Sequence, residues 1–211
     1  MFESKRILVI GPHPDDIELG MGASVSKLCR LGAQVEAIVL SNAELSLPTG
    51  FTIDDIKFEC ISSLKILGVN PEQISFHDFP VRRFTEVRQD ILELLVSVER
   101  SFNPDYIFCP SKTDCHQDHQ VVAAESDRAF RTKSVFGYEF PWNNNGFYPT
   151  MSIGVDEADI FNKERACSCY LSQRHRNYLD PGLLTGLARI RAVATKSKFA
   201  ESFDVTRLVT S

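Results

Sequence analysis

The sequence contains no long hydrophobic run and no excess of positive charge. The apolar run at residues 7–10 is too short for a signal-peptide core, and no segment approaches the roughly 18 apolar residues of a membrane span. A formal net charge of -5 provides no general attraction to phosphate backbones or anionic lipid. The sequence therefore predicts a cytoplasmic protein without a membrane span and without a nucleic-acid partner.

The sequence also contains no CxxC pair. Its six cysteines are scattered along the chain at Cys29, Cys60, Cys109, Cys115, Cys167 and Cys169. The last two are close in sequence, but side chains two residues apart on a helix point in different directions and cannot easily share a metal. We therefore expect reduced thiols, and we favour core packing for Cys167 and Cys169.

The length and composition are those of a globular protein. A chain of 211 residues can bury about 70% of its unfolded surface, which is enough for one substantial core. Hydrophobic residues make up 43% and charged residues 24%, which excludes a disordered chain. We expect residues 1–211 to form one domain.

Apolar strands and amphipathic helices alternate along the chain. Strands are predicted at residues 6–10, 35–40, 74–76, 106–109 and 135–138, and helices at residues 23–31, 53–67, 87–98, 119–131, 163–171 and 183–196. Continuous apolar strands of this kind are typical of a mostly parallel sheet with helices on both faces. The predicted fold is therefore α/β and Rossmann-like, and the aromatic, Asn-rich residues 138–148 are the best candidate for a long functional loop.

The first polar cluster follows the first strand directly. His13, Asp15 and Asp16 lie in a turn that also contains Pro12 and Pro14. The prolines remove backbone donors and the carboxylates repel phosphate, so a dinucleotide site is disfavoured. An imidazole and two carboxylates instead suit zinc or a similar divalent metal.

A second cluster, at residues 114–119, follows the strand at 106–109. If the two strands are parallel, both clusters meet at the same edge of the sheet, where open α/β folds place their sites. Helix capping is the alternative explanation for Asp15, and Asp118 and His119 could simply begin a helix. Because the two clusters hold three of the five histidines, we favour a metal site; His77 and His175 lack acidic neighbours and are assigned to packing or the surface.

The residues HPDDIELG at 13–20 and DCHQDH at 114–119 resemble the paired signature of the PIG-L/LmbE-like family of zinc-dependent N-deacetylases. Residues 57–69, 79–84, 163–173 and 200–203 also resemble segments of that family, so the likeness extends over nearly the whole chain.

The resemblance implies a metal centre with three protein ligands, His13, Asp16 and His119. The implied metal is zinc, with iron as an alternative divalent ion. Asp15 would be the general base and His116 would stabilise the transition state. Three protein ligands leave one position open for water, as a catalytic zinc requires.

Residues around this centre receive supporting roles. Asp118 and Asp114 could orient the histidines from behind, although capping explains Asp118 equally well. Candidate substrate contacts are Lys57, Arg82, Arg83, Trp142 and Asn143. A solvated, salt-bridged turn is the alternative for the two arginines, and ordinary turn chemistry is the alternative for residues 142–145.

The predicted activity is hydrolysis of an acetyl group from an N-acetylated amino sugar or sugar conjugate, with Asp15 accepting a proton from metal-activated water. The sugar could be linked to a nucleotide or a lipid, and relatives include multimers, so a homo-oligomer is an open expectation. Two other readings stay open: a metal-dependent phosphoesterase, and a non-catalytic relative that binds sugar or metal. Asp15 distinguishes a hydrolase from a non-catalytic binder, because a pure binder has no need for a carboxylate that lies beside the metal without coordinating it.

Overall fold

The computed structural model describes residues 2–210 and contains one seven-stranded sheet in the order β3-β2-β1-β4-β5-β7-β6. The strands are β1 (Arg6–Gly11), β2 (Gln34–Val39), β3 (Ile74–Phe76), β4 (Tyr106–Pro110), β5 (Ser134–Tyr138), β6 (Met151–Val155) and β7 (Phe199–Arg207). The helices are α1 (Asp16–Arg30), α2 (Ile53–Ile66), α3 (Arg88–Phe102), α4 (Gln117–Ala129), α5 (Glu157–Cys167) and α6 (Pro181–Ala192). Short 3₁₀ turns lie at Glu44–Ser46, Pro71–Gln73, Leu171–Gln173 and Asn177–Leu179.

The first five strands of the sheet order are parallel to one another, which confirms the predicted Rossmann-like α/β class. In the centre, Ile7 of β1 pairs with Tyr106 of β4. Because β1 and β4 run in the same direction, the segments that follow Gly11 and Pro110 emerge at one edge of the sheet.

Helices cover both faces of the sheet. Ile7 and Val9 of β1 join a core cluster with residues from α1, α2, α5 and α6. The alternate residues, Leu8 and Ile10, join a second cluster with residues from α3 and α4. Within residues 2–210, no helix has both the length and the apolar character needed to cross a membrane.

The sequence-based assignment missed β6 and β7, which extend the sheet with antiparallel pairings. The buried half of β7 includes Glu201 and Ser202, polar residues that a search for apolar runs treats as exposed. Helix α5 also begins at Glu157 rather than at 163, since the Asp159 carboxylate accepts the Asp156 N–H at 3.0 Å and satisfies a free donor at the helix start.

Helix α1 begins at Asp16, seven residues earlier than predicted, and is broken at Met21, where φ is -151° and ψ is 26°. The segment before the break packs tightly against the sheet: a Cβ atom on Gly20 would lie 2.3 Å from the Tyr138 ring. This break separates the short acidic turn after β1 from the regular part of the helix.

A buried ion pair supplies hydrogen-bond partners at the break. Lys163 Nζ donates to the Leu19 carbonyl at 2.7 Å and to Glu201 Oε1 at 2.6 Å. Glu201 accepts the N–H groups of Ala23 at 3.3 Å and Ser24 at 2.6 Å. The pair therefore satisfies backbone groups on both sides of the break, as capping residues do at ordinary helix ends.

Replacing Lys163 with methionine should lower the free energy of unfolding by about 3 kcal/mol, because the Glu201 carboxylate would stay buried without its cation. Urea denaturation measures this change. The matched control is Arg165→Ala, an exposed position on the same helix, which should change stability by less than about 0.5 kcal/mol. An unchanged urea midpoint for Lys163→Met would contradict this role of the pair.

Candidate metal centre

The two predicted clusters meet at the sheet edge where β1 and β4 end. His13 follows β1 by two residues and Asp16 begins α1, whereas His116 and His119 lie at the start of α4. Imidazole nitrogens of the three histidines lie within 4.8 Å of one another. The parallel pairing of β1 and β4 therefore brings together side chains about a hundred residues apart in sequence.

One carboxylate oxygen lies between two of the imidazoles. Asp16 Oδ2 is 3.2 Å from His13 Nδ1 and 3.3 Å from His119 Nε2. These separations fit a metal ion with tetrahedral coordination, since zinc–ligand bonds of about 2.0–2.1 Å place neighbouring ligand atoms about 3.3 Å apart. Two nitrogens and one oxygen are donors suited to zinc and to similar divalent ions. The three histidines form an overlapping donor set, with His116 in the place of Asp16.

Acidic residues hold both of these imidazoles from behind. His13 Nε2 lies 2.9 Å from Asp118 Oδ2, and His119 Nδ1 lies 2.8 Å from Asp114 Oδ2. In each ring, one nitrogen therefore contacts a supporting carboxylate and the other faces Asp16. Such carboxylate–histidine pairs fix ring orientation at metal sites and increase the basicity of the ligand.

Asp118 does not cap its own helix, so the capping alternative does not describe it. Its carboxylate accepts the Arg82 N–H at 2.6 Å and the Phe84 N–H at 3.2 Å, in addition to contacting His13. The α4 cap is instead His116, whose Nδ1 accepts the Asp118 N–H at 3.2 Å. Burial acts to raise the pKa of Asp118, but the hydrogen bonds prevail and lower it, so the carboxylate is ionised at neutral pH.

Asp114 positions two members of the cluster. One carboxylate oxygen accepts the His116 N–H at 2.8 Å while the other contacts the His119 ring. Burial disfavours charge on His119, but Asp16 and Asp114 together raise its pKa to about 10. The surrounding carboxylates thus strongly favour a positive charge at this position.

Asp15 has a strained backbone and a free carboxylate. Its φ is 88°, in the left-handed region that residues other than glycine rarely adopt, and its N–H donates to Tyr170 Oη at 3.0 Å. The side chain does not cap α1 and accepts no hydrogen bond from residues 2–210, so capping does not explain this residue either. Burial, together with nearby Asp16 and Glu18, raises the pKa of Asp15 well above its ordinary value.

A buried network under Asp15 explains this conformation. Tyr170 donates its hydroxyl to Glu18 Oε1 at 2.8 Å, and burial raises the pKa of Glu18 to about 7. The chain just after Tyr170 is held by Glu59, whose carboxylate accepts hydrogen bonds from the Ser172 N–H at 3.1 Å and from the Ser172 hydroxyl at 2.6 Å. Tyr170 lies in residues 163–173, whose resemblance to a family segment was the only sequence signal for it and gave it no role.

The metal cluster forms the floor of a cavity of about 480 Å³, a size suited to a small-molecule ligand. One wall is aromatic, with the ring of Trp142 stacked on that of Tyr178 at 4.9 Å and an interplanar angle of 11°. Phe140 also lines this wall and lies against His119. Phe140 falls within the predicted functional loop at residues 138–148, whereas Tyr178 was not predicted, because an isolated aromatic residue gives no distinctive sequence signal.

The candidate substrate contacts divide into two groups. Arg82, Trp142 and Asn143 line the cavity. Arg82 also donates from its guanidinium to the Leu45 carbonyl at 2.9 Å. Lys57 and Arg83 do not line it, and Arg83 instead pairs with Glu86 at 2.5 Å in an exposed turn, as the structural alternative predicted.

Replacing Asp114 with asparagine should lower zinc affinity about 10- to 100-fold, because the His119 ring loses its carboxylate partner. Competition with a zinc chelator measures the affinity. The matched control is Asp90→Asn, which removes an equal charge from the exposed start of α3 and should leave the affinity unchanged. Equal zinc affinity in Asp114→Asn and the parent would refute the orienting role.

Comparison with known proteins places the chain among deacetylases. The family model described as "PIG-L: GlcNAc-PI de-N-acetylase" matches residues 8–130. An Escherichia coli K12 protein, described as the uncharacterized deacetylase YaiS, is 32% identical over 158 residues, which cover 72% of this chain and 83% of that protein. The diacetylchitobiose deacetylase of Thermococcus kodakarensis is 29% identical over 126 residues, covering 55% and 45% respectively.

Solved structures with this fold include proteins of different activity. The conserved protein TT1542 from Thermus thermophilus has a TM-score of 0.84 at 22% identity, with 98% of this chain and 97% of that one covered. GalB from Pseudomonas putida, a 4-carboxy-2-hydroxymuconate hydratase, has a TM-score of 0.79 at 19% identity, with 98% of both chains covered. At such identities the likeness establishes the fold but not the reaction.

The family assignment rests on sequence. The family model matches more than half of the chain, and YaiS exceeds 30% identity over most of both proteins. Deacetylases of this kind are metal-dependent hydrolases that act on amide C–N bonds. The chain therefore belongs to the PIG-L family, as the paired motifs at residues 13–20 and 114–119 predict.

Proposed function

We propose that this chain is a zinc-dependent N-deacetylase that removes the acetyl group from an N-acetylated amino sugar or sugar conjugate. The observation that carries the proposal is the position of Asp16 Oδ2, 3.2 Å from His13 Nδ1 and 3.3 Å from His119 Nε2. These three residues are the ligands that the sequence resemblance implies. The same donors could bind iron or another divalent ion in the cell.

Once held by His13, Asp16 and His119, the metal would polarise the acetyl carbonyl and lower the pKa of water toward about 7. Asp15 then accepts the proton of the attacking water. Its carboxylate is free of hydrogen bonds from residues 2–210, and burial together with nearby Asp16 and Glu18 raises its pKa above the ordinary value, which makes it a stronger base. Tyr170 holds the Asp15 backbone, so the carboxylate keeps its position next to the metal ligands.

His116 stabilises the negative charge that develops on the acetyl oxygen. Its Nδ1 accepts the Asp118 N–H, so the neutral tautomer carries its proton on Nε2. Burial and the neighbouring histidines lower the pKa of His116, which favours this neutral form. An N–H donor suffices for an oxyanion, so the imidazole does not need to be protonated before the reaction. The departing amine takes its proton from Asp15.

The cavity supports a sugar as the substrate. The stacked rings of Trp142 and Tyr178 provide an apolar surface for one face of a pyranose, while Asn143 and Arg82 provide polar groups at the same cavity. The family description refers to an N-acetylglucosamine conjugate, and one relative is a diacetylchitobiose deacetylase. We extend the proposal to sugars linked to a nucleotide or a lipid.

The remaining parts of the proposal concern the protein as a whole. We propose that residues 1–211 act as one catalytic domain and that the chain functions in the cytoplasm. All six cysteines have free thiols, which suits a reducing compartment. A homo-oligomer also stays part of the proposal.

The alternatives explain the site less well. Two-metal phosphoesterases need a second set of ligands, whereas only one histidine-centred donor group occurs within residues 2–210. A non-catalytic binder leaves the strained backbone and free carboxylate of Asp15 without a purpose. A hydratase calls for a direct assay because GalB shares the fold. Release of acetate separates a deacetylase from all three.

Replacing Asp15 with asparagine should lower kcat for acetate release by roughly 10²- to 10⁴-fold while zinc remains bound, because the base is lost but the ligands are kept. Acetate release from a panel of N-acetylated sugars, together with the zinc content of the same sample, measures both properties. The control is Asp78→Asn, an exposed acid that does not line the cavity. Deacetylation at the parent rate by Asp15→Asn would rule out Asp15 as the base.

A further inference from the structure

A second cavity of about 600 Å³ lies beside the metal site. Residues 167–181, between α5 and the start of α6, form its wall. Tyr170 and Arg176 line both cavities, so the two spaces share a boundary. Tyr170 itself is buried, so the exposed Arg176 is the residue that a ligand can reach from both cavities.

The second cavity carries positive charge that the protein itself does not neutralise. Arg174 and Arg176 line it, both are exposed, and neither forms an ion pair within residues 2–210. Six other arginines pair with carboxylates: Arg30, Arg83, Arg88, Arg128, Arg191 and Arg207. Six more, Arg165 among them, form no ion pair within residues 2–210, but none of these lines the second cavity. The two cavity arginines thus add charge to an otherwise acidic chain, whose formal net charge is -5.

The single carboxylate in this wall does not cancel that charge. Asp180 Oδ1 accepts the Leu183 N–H at 3.1 Å and caps α6, which keeps it at the helix start. Asn177 adds a neutral amide to the lining. Arg176 also lines the cavity over the metal cluster. The positive charge therefore extends from the second cavity to the edge of the reaction site.

We propose that the second cavity binds a phosphate ester carried by the N-acetylated substrate, with Arg174 and Arg176 as its ligands. The inference rests on the proposed function for the position of the sugar at the metal centre. A guanidinium matches phosphate oxygens with several N–H donors, so two unpaired arginines are suited to this anion. Arg82 lines only the metal-site cavity and already donates to the Leu45 carbonyl. The phosphate is therefore assigned to the Arg174 side.

The test compares binding of N-acetylglucosamine and N-acetylglucosamine 1-phosphate to the zinc-loaded protein by calorimetry. The double variant Arg174→Ala/Arg176→Ala should bind the phosphorylated sugar about 100-fold more weakly, or about tenfold for each lost charged hydrogen bond. Its affinity for the neutral sugar should fall by no more than about tenfold, because of the two residues only Arg176 lines the cavity that holds this sugar.

The matched control is Arg165→Ala, which removes an exposed arginine that lines neither cavity and should leave both affinities unchanged. Equal melting temperatures of the parent and both variants establish that the proteins are folded. A parallel titration with UDP-N-acetylglucosamine identifies the source of the phosphate. Tighter, arginine-dependent binding of this ligand indicates a nucleotide-linked sugar, whereas tighter binding of the 1-phosphate indicates a simple ester.

The inference is wrong if the double variant binds the phosphorylated sugar as tightly as the parent, or if it weakens both sugars equally. A separate acetate assay distinguishes this failure from failure of the proposed function. Arginine-dependent binding without acetate release from any sugar would reject the deacetylase and retain the phosphate subsite. Acetate release without arginine-dependent binding would retain the deacetylase and reject the subsite.

Discussion

The contact of one Asp16 oxygen with two imidazoles organises the site. It joins the turn after β1 to the first turn of α4, and it depends on the parallel pairing of β1 with β4. In the metal-free protein, His13 and His119 both have a raised pKa, because Asp16 and the carboxylates behind the rings outweigh the cost of burying the charge. A divalent cation at this position would neutralise the same carboxylates that protonated imidazoles neutralise in the metal-free protein.

Backbone strain is concentrated where this chemistry takes place. Asp15 and Arg82 both have left-handed φ angles, 88° and 68°, and both have an N–H that donates to a buried partner, Tyr170 or Asp118. Strained conformations of this type persist only where surrounding contacts determine them. Asp118 thus orients a histidine and holds the turn that carries Arg82, so the metal centre and the cavity wall are built as one unit.

The site could be located from sequence because its ligands come in two compact motifs that directly follow predicted parallel strands. Only the structure could exclude helix capping as the role of Asp15 and Asp118, because capping and metal-site support use the same residue type in the same turn. The antiparallel strands β6 and β7 were not predicted from the sequence. The buried Lys163–Glu201 pair at the break in α1 explains part of this failure. Glu201 can be buried in β7 because its carboxylate accepts two backbone N–H groups of α1. No local sequence pattern reveals a contact of this kind.

X-ray absorption at the zinc edge of the purified protein tests the central claim most directly. The account predicts one zinc per chain with nitrogen and oxygen ligands at about 2.0–2.1 Å, and loss of this signal when both His13 and His119 are replaced by alanine. Sulfur ligands at about 2.3 Å, or an unchanged spectrum in that double variant, would place the metal elsewhere and contradict the account.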